Sequence, residues 1–276
     1  MIYLYQAYGR QDIIDQVKLS IVSLCQFLSA DDLVAIYTDQ SEQLGQFFDG
    51  ESRVIIVPID LEIIKAWRGA IDFVHRVKLE AILDCMKRFS QKMIYMDGDT
   101  VFTSDPRELA SSISDKHFLM HINEGKLNEE RDPLAKKIHR FVKGKKFQIP
   151  SGEFQIDGNT EMWNAGVIGI GEHSREVIEK ALEMTDVLYA GYPKHTMEQL
   201  AVSFCLQTKG TISPAESCIL HYWDQKDQVI PWLAKFFAEN NSFEEAIVTY
   251  VGLKEYPWST PRPTKRKGFL SFFWRS

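Results

Sequence analysis

Two aspartates stand one residue apart at the end of a short apolar run, where their carboxylates could share one ligand. Asp97 and Asp99 follow the run 92–96, and residues i and i+2 of an extended chain point to the same side. Gly98 between them lets the backbone turn closely against a ligand. Two hard oxygen donors suit Mg²⁺ or Mn²⁺, which bridges to substrate phosphates and neutralises charge on a diphosphate leaving group. The pair therefore predicts a metal and phosphate site at a strand end.

Two chemistries use an Asp-x-Asp at this position, and the pair alone does not choose between them. In haloacid-dehalogenase-type phosphatases the first aspartate is a covalent nucleophile, and residues 97–101 (DGDTV) have the D-x-D-x-[TV] form of that motif. That family completes its metal site with a later acidic pair, whereas Asp31-Asp32 lies upstream. In glycosyl transfer from a nucleotide sugar, the aspartates hold the metal and stay unmodified. A third hypothesis is a non-catalytic sugar-nucleotide-binding protein that lacks turnover.

The elements around the pair predict an α/β fold. Short apolar runs, typical of buried strands, alternate with apolar residues spaced three or four apart, typical of helices. Such alternation indicates βαβ units and a largely parallel sheet, whose ligands bind beyond the carboxyl ends of the strands. The predicted strands are 2–8, 33–38, 53–57, 92–96, 118–122 and 218–223, and the predicted helices are 13–28, 74–90, 174–189, 197–206, 229–239 and 243–251. The charged segment 124–146 is predicted to be a solvated helix.

Composition narrows the remaining classes of function. The chain has 276 residues, of which 45% are hydrophobic, enough for a sizeable core. Acidic residues outnumber basic ones by 38 to 32, which disfavours a general nucleic-acid binder. No apolar run reaches the length of a membrane span, and the N-terminal residues do not resemble a signal peptide, so we expect a cytoplasmic protein. The four cysteines form no C-x-x-C pair, which disfavours a structural zinc site or a disulfide framework.

Four short segments resemble, in the same order, motifs of the GT-A-fold glycosyltransferases, and most closely those of family 8, which contains glycogenin and bacterial galactosyl- and glucosyltransferases. Residues 94–102 resemble the "YLDxD" strand end, 163–168 the "F-N-[AS]-G-V" strand, Glu198-Gln199 the "D-Q" pair, and 221–223 the "H-[FY]" start of the C-terminal metal-ligand motif. The resemblance spans residues 1–235. It implies a mostly parallel, Rossmann-like mixed sheet flanked by helices, with a C-terminal extension.

The resemblance also implies an activity and a metal site. The activity is transfer of a hexose from a UDP-sugar to a hydroxyl of a glycan or lipid-linked glycan. Asp97, Asp99 and His221 would hold Mn²⁺ or Mg²⁺. The family has a glycine where Asp224 stands, and Lys226 comes one residue earlier than the lysine of the family pattern.

Two side-chain amides would carry the chemistry. Gln199 and Asn164 are the predicted catalytic residues, and the Gln199 carbonyl oxygen would stabilise the oxocarbenium-like transition state of a retaining reaction. An inverting reaction would instead need a carboxylate base, for which the candidates are Glu153, Glu198 and Asp224. The residues predicted to bind the nucleotide sugar are Ala7, Tyr8, Gly9, Thr38, Asp39, Arg76, Lys78, Asp97, Gly98, Asp99, Asn164, Gly166 and Lys226.

The end of the chain differs in composition from the rest. We predict a GT-A domain over residues 1–255 and a tail over 256–276, which contains prolines followed by basic and aromatic residues. Cations and amphipathic rings suit an anionic bilayer surface, so we expect peripheral membrane contact through this tail. The alternative is that its aromatic residues dock back on the domain.

Overall fold

The computed structural model describes residues 1–259. In this part of the chain the strands are β1 (Ile2–Ala7), β2 (Leu33–Thr38), β3 (Val54–Pro58), β4 (Met93–Met96), β5 (Thr100–Phe102), β6 (His117–Met120), β7 (Asn123–Lys126), β8 (Phe147–Ile149), β9 (Gly152–Phe154), β10 (Glu161–Trp163), β11 (Val167–Ile170), β12 (Thr211–Pro214) and β13 (Ile219–His221). The helices are α1 (Gln11–Leu24), α2 (Ser41–Phe47), α3 (Leu61–Trp67), α4 (Arg76–Phe89), α5 (Arg107–Ser112), α6 (Pro133–Val142), α7 (Arg175–Gly191), α8 (Met197–Lys209), α9 (Lys226–Glu239) and α10 (Phe243–Val251).

Seven strands form one mixed, mostly parallel sheet in the order β12-β6-β11-β4-β1-β2-β3. The neighbours β4, β1, β2 and β3 run parallel, and β12 runs parallel to β6. Strand β11 is antiparallel to both of its neighbours, β4 and β6. Every strand except β11 therefore ends at the same edge of the sheet, which is the edge that carries Asp97 and Asp99. The predicted α/β architecture is confirmed.

Helices cover both faces of this sheet. In β1, Ile2 and Leu4 face a core built with α4, α7 and α8, whereas Tyr3 and Tyr5 face a second core built with α1, α9 and α10. Successive residues of a strand point to opposite faces, so a strand buried on both sides is apolar throughout. This explains the unbroken apolar runs by which the strands are predicted.

The predicted single helix over 124–146 is wrong. Its first residues form β7, which pairs with β10, and a 3₁₀ turn follows at Leu127–Glu129. The helix α6 begins only at Pro133, because the Asp132 carboxylate accepts hydrogen bonds from the backbone N–H of Leu134 and Ala135 at 2.7 and 3.0 Å. The charged composition of the segment does not indicate that its first residues form a strand.

The first residues of the predicted tail pack on the domain. Trp258 stacks on buried Tyr222 with ring centroids 6.0 Å apart, and Tyr256 stacks on Trp258 at 5.1 Å. The remainder of the tail, residues 260–276, lies outside the described residues, and the boundary at 255 stays a prediction. Within residues 1–259 no helix has both the length and the apolar character that crossing a bilayer requires.

Candidate functional site

The two aspartates lie in the tight turn that connects β4 to β5, and not in extended backbone as the sequence predicts. Asp97 N–H donates to the Gly166 carbonyl at 2.8 Å, and the Thr100 hydroxyl donates to the Asp97 carbonyl at 2.8 Å. A Cβ on Gly98 would lie 2.9 Å from Val17 Cγ2, because the turn packs directly on α1. The turn, and not strand alternation, therefore brings the carboxylates together.

His221 reaches the same turn from far along the chain. Strand β13 pairs with β5, which sets His221 opposite Thr100. His221 Nε2 lies 3.2 Å from Asp99 Oδ1, and one ligand atom from each of Asp97, Asp99 and His221 lies within 4.8 Å of the others. Asp99 and His221 are buried, whereas Asp97 is half-buried. Three groups that a divalent cation could bind thus share one point.

Hydrogen bonds set the direction of the His221 lone pair. Gly166 N–H donates to Asn164 Oδ1 at 3.0 Å, which identifies that atom as the amide oxygen. His221 Nδ1 lies 3.0 Å from the same oxygen and must therefore be the protonated nitrogen. Nε2 then turns a lone pair towards the Asp99 carboxylate, an arrangement that a proton or a metal ion between them stabilises. This donor set fits Mn²⁺ or Mg²⁺.

Two lysines stand beside the two aspartates. Lys226, at the start of α9, places Nζ 2.8 Å from Asp99 Oδ2, and its side chain is 43% exposed. Burial raises the pKa of Asp99, but hydrogen bonds and electrostatic interactions with His221 and Lys226 outweigh burial, so the net pKa lies well below the ordinary value. Asp99 therefore stays ionised and available as a ligand.

Lys78 of α4 is enclosed by protein. Its Nζ lies 3.3 Å from Asp97 Oδ1 and 3.2 Å from Glu198 Oε1, and it donates to the Ala165 carbonyl at 2.9 Å. Burial lowers the pKa of Lys78, but the carboxylates of Asp97 and Glu198 outweigh burial and the net pKa is raised. Burial, with Asp97 in support, raises the pKa of Glu198 to about 7 against the opposing effect of Lys78. One buried ammonium thus connects β4, the turn before β11, and α8.

The two predicted catalytic amides meet at a carboxylate that sequence reasoning missed. Glu124 Oε1 accepts from Asn164 Nδ2 at 3.3 Å, and Glu124 Oε2 accepts from Gln199 Nε2 at 2.7 Å. Glu124 belongs to the segment that was expected to be a solvated helix. The available signal was its place just after a strand, since polar residues at strand ends share the edge of the sheet.

Two histidines near the site were also missed. His121 follows β6, and its ring centroid lies 5.3 Å from that of His221. Its Nε2 lies 3.1 Å from the Ile219 carbonyl, and burial lowers its pKa to about 4. Burial, and then the nearby Lys78, lower the pKa of His75 to about 4 as well. Both rings are therefore neutral at neutral pH and differ in this from the lysines around them.

The residues predicted to bracket the base lie at the same sheet edge. Ala7 and Thr38 end the adjacent strands β1 and β2. Gly9, at φ +85°, donates its N–H to both carboxylate oxygens of Asp39 at 3.2 Å, which joins the two strand ends. Burial raises the pKa of Tyr8 to about 12, and Asp97 is among the charges that act on it.

The Arg76 side chain contacts α7 and not the aspartate turn. Its guanidinium contacts Asp186 of α7 at 2.7 Å, Glu80 at 2.6 Å and the Trp67 carbonyl at 2.8 Å. These contacts brace the segment before α4 against α7. The structure thus does not bring Arg76 together with Asp97, and its predicted role in nucleotide binding remains untested.

No protein family model matches this chain, and no curated protein sequence matches it. Several solved structures, however, are similar to this chain. The galactosyltransferase LgtC, crystallised with donor and acceptor sugar analogues, is 12% identical over 77% of this chain and 73% of that chain, with a TM-score of 0.52. A glutamine-to-glutamate active-site mutant of LgtC is 14% identical over 78% of this chain and 72% of that chain, with a TM-score of 0.50. The protein has the GT-A fold.

Mouse xyloside xylosyltransferase 1 is also similar to this GT-A protein, at 10% identity over 77% of this chain and 83% of that chain, with a TM-score of 0.49. The GT-A fold itself does not favour the phosphatase hypothesis. The finer assignment to family 8 stays a prediction.

Proposed function

We propose that this GT-A protein is a metal-dependent glycosyltransferase that moves a hexose from a UDP-sugar to a hydroxyl of a glycan or lipid-linked glycan, with retention of configuration. The observation that carries the proposal is the convergence of Asp97, Asp99 and His221 at the carboxyl edge of the sheet, beside Asn164 and Gln199. Ligands of open α/β sheets bind at that edge. LgtC, a solved structure of similar fold, binds donor and acceptor sugar analogues.

The donor diphosphate would lie over the aspartate turn. Asp97, Asp99 and His221 would hold Mn²⁺ or Mg²⁺, which when bound neutralises charge on the departing diphosphate. Lys226 adds a cation that can turn from Asp99 to a phosphate oxygen, because its side chain is 43% exposed. The strand ends at Ala7, Tyr8 and Gly9 and at Thr38 and Asp39 would bracket the base.

The donor sugar would lie against the two amides. Asn164 would bind sugar hydroxyls, and the Gln199 carbonyl oxygen would face the anomeric carbon, where positive charge develops as the glycosidic bond breaks. The acceptor hydroxyl would attack on the face that the diphosphate leaves and give its proton to the departing phosphate. Two carboxylates considered as the base of an inverting reaction are paired with lysines, Glu153 with Lys146 at 2.8 Å and Glu198 with Lys78 at 3.2 Å. These pairings disfavour Glu153 and Glu198 as that base, which leaves Asp224 as the carboxylate that an inverting reaction would use.

Calorimetry tests the donor site directly. We expect UDP to bind in the presence of Mn²⁺ and to lose most of its affinity in EDTA. A screen of UDP-, GDP-, CMP- and dTDP-sugars should show Mn²⁺-dependent hydrolysis or transfer with UDP-sugars. Asp99→Asn should abolish both, while Asp105→Asn, which removes the carboxylate paired with Arg107 on the surface, should not. UDP binding that ignores Mn²⁺, or an aspartyl-phosphate trapped on Asp97, would refute the proposal.

We also propose that the acceptor is linked to a membrane and that the tail of this chain contacts that membrane. Residues 260–276 contain five of the chain's 32 basic residues and none of its 38 acidic ones. This separation of charge suits an anionic bilayer surface. Deleting residues 264–276 should release the protein from vesicles that contain phosphatidylserine and leave UDP binding unchanged. Equal vesicle binding by the full and truncated chains would end this part of the proposal.

A further inference from the structure

The residues of the candidate site form a closed ring of polar contacts. The order of contacts is Asp97–Lys78–Glu198, then Gln199 as the next residue of α8, then Glu124–Asn164–His221–Asp99, and the aspartate turn closes the ring. Glu124 is the member that no sequence motif indicates. It is also the exposed member, whereas Gln199 and Asn164 are each only 9% exposed.

Glu124 determines which way the Gln199 amide faces. An ionised carboxylate only accepts hydrogen bonds, so the group of Gln199 that lies 2.7 Å from Glu124 Oε2 must be its NH₂. The carbonyl oxygen Oε1 of Gln199 therefore points away from Glu124. Within residues 1–259 no hydrogen bond engages that oxygen, which leaves it for a ligand.

The Glu124 carboxylate also accepts a hydrogen bond from Asn164. Asn164 Nδ2 faces Glu124 Oε1 at 3.3 Å, and Asn164 Oδ1 is already held by Gly166 N–H and by His221 Nδ1. Asn164 thus keeps its orientation without Glu124, because two donors hold its oxygen. Gln199 has no second anchor of that kind among the described contacts, so its orientation depends on Glu124.

We propose that Glu124 is a positioning residue, which holds the Gln199 amide with its carbonyl oxygen towards the donor sugar. The inference rests on the proposed function, in which that oxygen faces the anomeric carbon. Rotation about a terminal amide torsion has two broad minima, and the reversed one would present NH₂ to the developing positive charge. A carboxylate that selects one minimum before substrate binds supplies electrostatic preorganisation without touching the substrate.

Nuclear magnetic resonance tests the contact without requiring activity. In protein labelled with ¹⁵N-glutamine, the Gln199 side-chain NH₂ signal is identified by its loss in Gln199→Ala. Glu124→Ala should shift this signal, because a charge-assisted hydrogen bond is lost. Glu129→Gln, which changes an exposed glutamate of the same segment that pairs with Arg131, should leave it in place. An unmoved Gln199 signal in Glu124→Ala would overturn the inference.

Kinetics then tests the role. Glu124→Ala should lower kcat for transfer at least tenfold while the affinities for UDP and Mn²⁺ stay as in the wild type, and Glu124→Asp should recover part of the loss. In a Gln199→Ala background, Glu124→Ala should have no further effect, because Glu124 acts through Gln199. Additive losses, or an equal loss of Mn²⁺ affinity, would overturn the inference. Absence of UDP binding by the wild type would refute the proposed function instead, and the resonance experiment would still decide the contact.

Discussion

At the scale of single residues, Gly166 leaves room for the His221 ring. A Cβ at this position would lie 2.3 Å from His221 Cε1 and 2.4 Å from Nδ1, far inside contact distance. The backbone N–H of Gly166 also holds the amide oxygen that sets the His221 tautomer. A small residue is therefore required here by the ligand geometry.

Gly166→Ala should displace the imidazole from the aspartates. We expect Mn²⁺ affinity, measured by electron paramagnetic resonance, to fall by about 10- to 100-fold, as when a group that orients a metal ligand is lost. Gly45→Ala is the matched control, because a Cβ on Gly45 of α2 meets nothing within 4 Å. Unchanged Mn²⁺ affinity in Gly166→Ala would show that His221 is not a ligand.

His121 makes stability depend on pH. Burial lowers its pKa from 6.5 to about 4, so the unfolded chain binds this proton more readily than the folded one. The contribution of His121 to the free energy of unfolding is fully present above pH 6.5 and is lost as the pH falls towards 4. Over that window the free energy of unfolding of the wild type should fall by about 3 kcal/mol more than that of His121→Gln.

Urea unfolding at a series of pH values measures this difference. His173→Gln, which changes an exposed histidine before α7, is the control and should follow the wild type. Parallel pH profiles for wild type and His121→Gln would contradict the prediction.

At the scale of elements, Lys78 connects three parts of the chain that are distant in sequence. Lys78 of α4 places its ammonium between Asp97, at the end of β4, and Glu198, in the first turn of α8. Two carboxylates with one cation between them are stable, whereas the same carboxylates without it repel each other in a medium of low polarity. The position of Asp97 therefore depends on α4.

Lys78→Met should destabilise the fold by about 3–5 kcal/mol, because it leaves the buried Glu198 and the half-buried Asp97 without their cation. Adding Glu198→Gln should recover part of that loss, since one of the two charges is then removed. Lys87→Met, on the exposed side of the same helix, should change stability by less than about 0.5 kcal/mol. Chemical denaturation measures all three, and a loss in Lys78→Met no larger than that in Lys87→Met would contradict the prediction.

At the scale of the whole molecule, the described C-terminal residues close the side of the site that carries His221. Trp258 lies over Tyr222, which follows His221 and whose backbone N–H donates to the Asp99 carbonyl at 3.0 Å. Residues just beyond the predicted boundary at 255 therefore pack on the domain. Aromatic contacts of this kind contribute about 0.5–1.5 kcal/mol each beyond the area that they bury.

Two truncations separate the packed residues from the rest of the tail. A chain that ends at Glu255 loses Tyr256 and Trp258, and its free energy of unfolding should fall by about 1–3 kcal/mol. A chain that ends at Ser259 keeps these contacts and should be more stable than the shorter chain by that amount. Thermal and urea unfolding distinguish the two, and equal stability of both truncated chains would contradict the expectation.

The sequence by itself determined five of the seven strands of the main sheet, β1, β2, β3, β4 and β6, and the chemistry at its edge. Strands buried on both faces appear as unbroken apolar runs, and parallel strands end at one edge, so Asp97 and Thr38 could be placed there from local patterns alone. The order of short motifs then brought His221 to the same point. The strand-end positions follow from side-chain burial and chain direction, which neighbouring residues reveal, whereas His221 was placed by the resemblance of its motif to a known family.

Only the tertiary structure decided the remaining parts of the site. The antiparallel direction of β11, the direction of Arg76 towards α7, and the pairing of Glu124 with Gln199 all depend on contacts between segments far apart in the chain. Glu124 stands in a charged segment whose composition is that of a solvated helix. Its neighbours in sequence do not show that it lies in β7, where it contacts two side-chain amides. A hydrogen bond of 2.7 Å needs both partners in place, and the packing of the whole sheet and its helices places them.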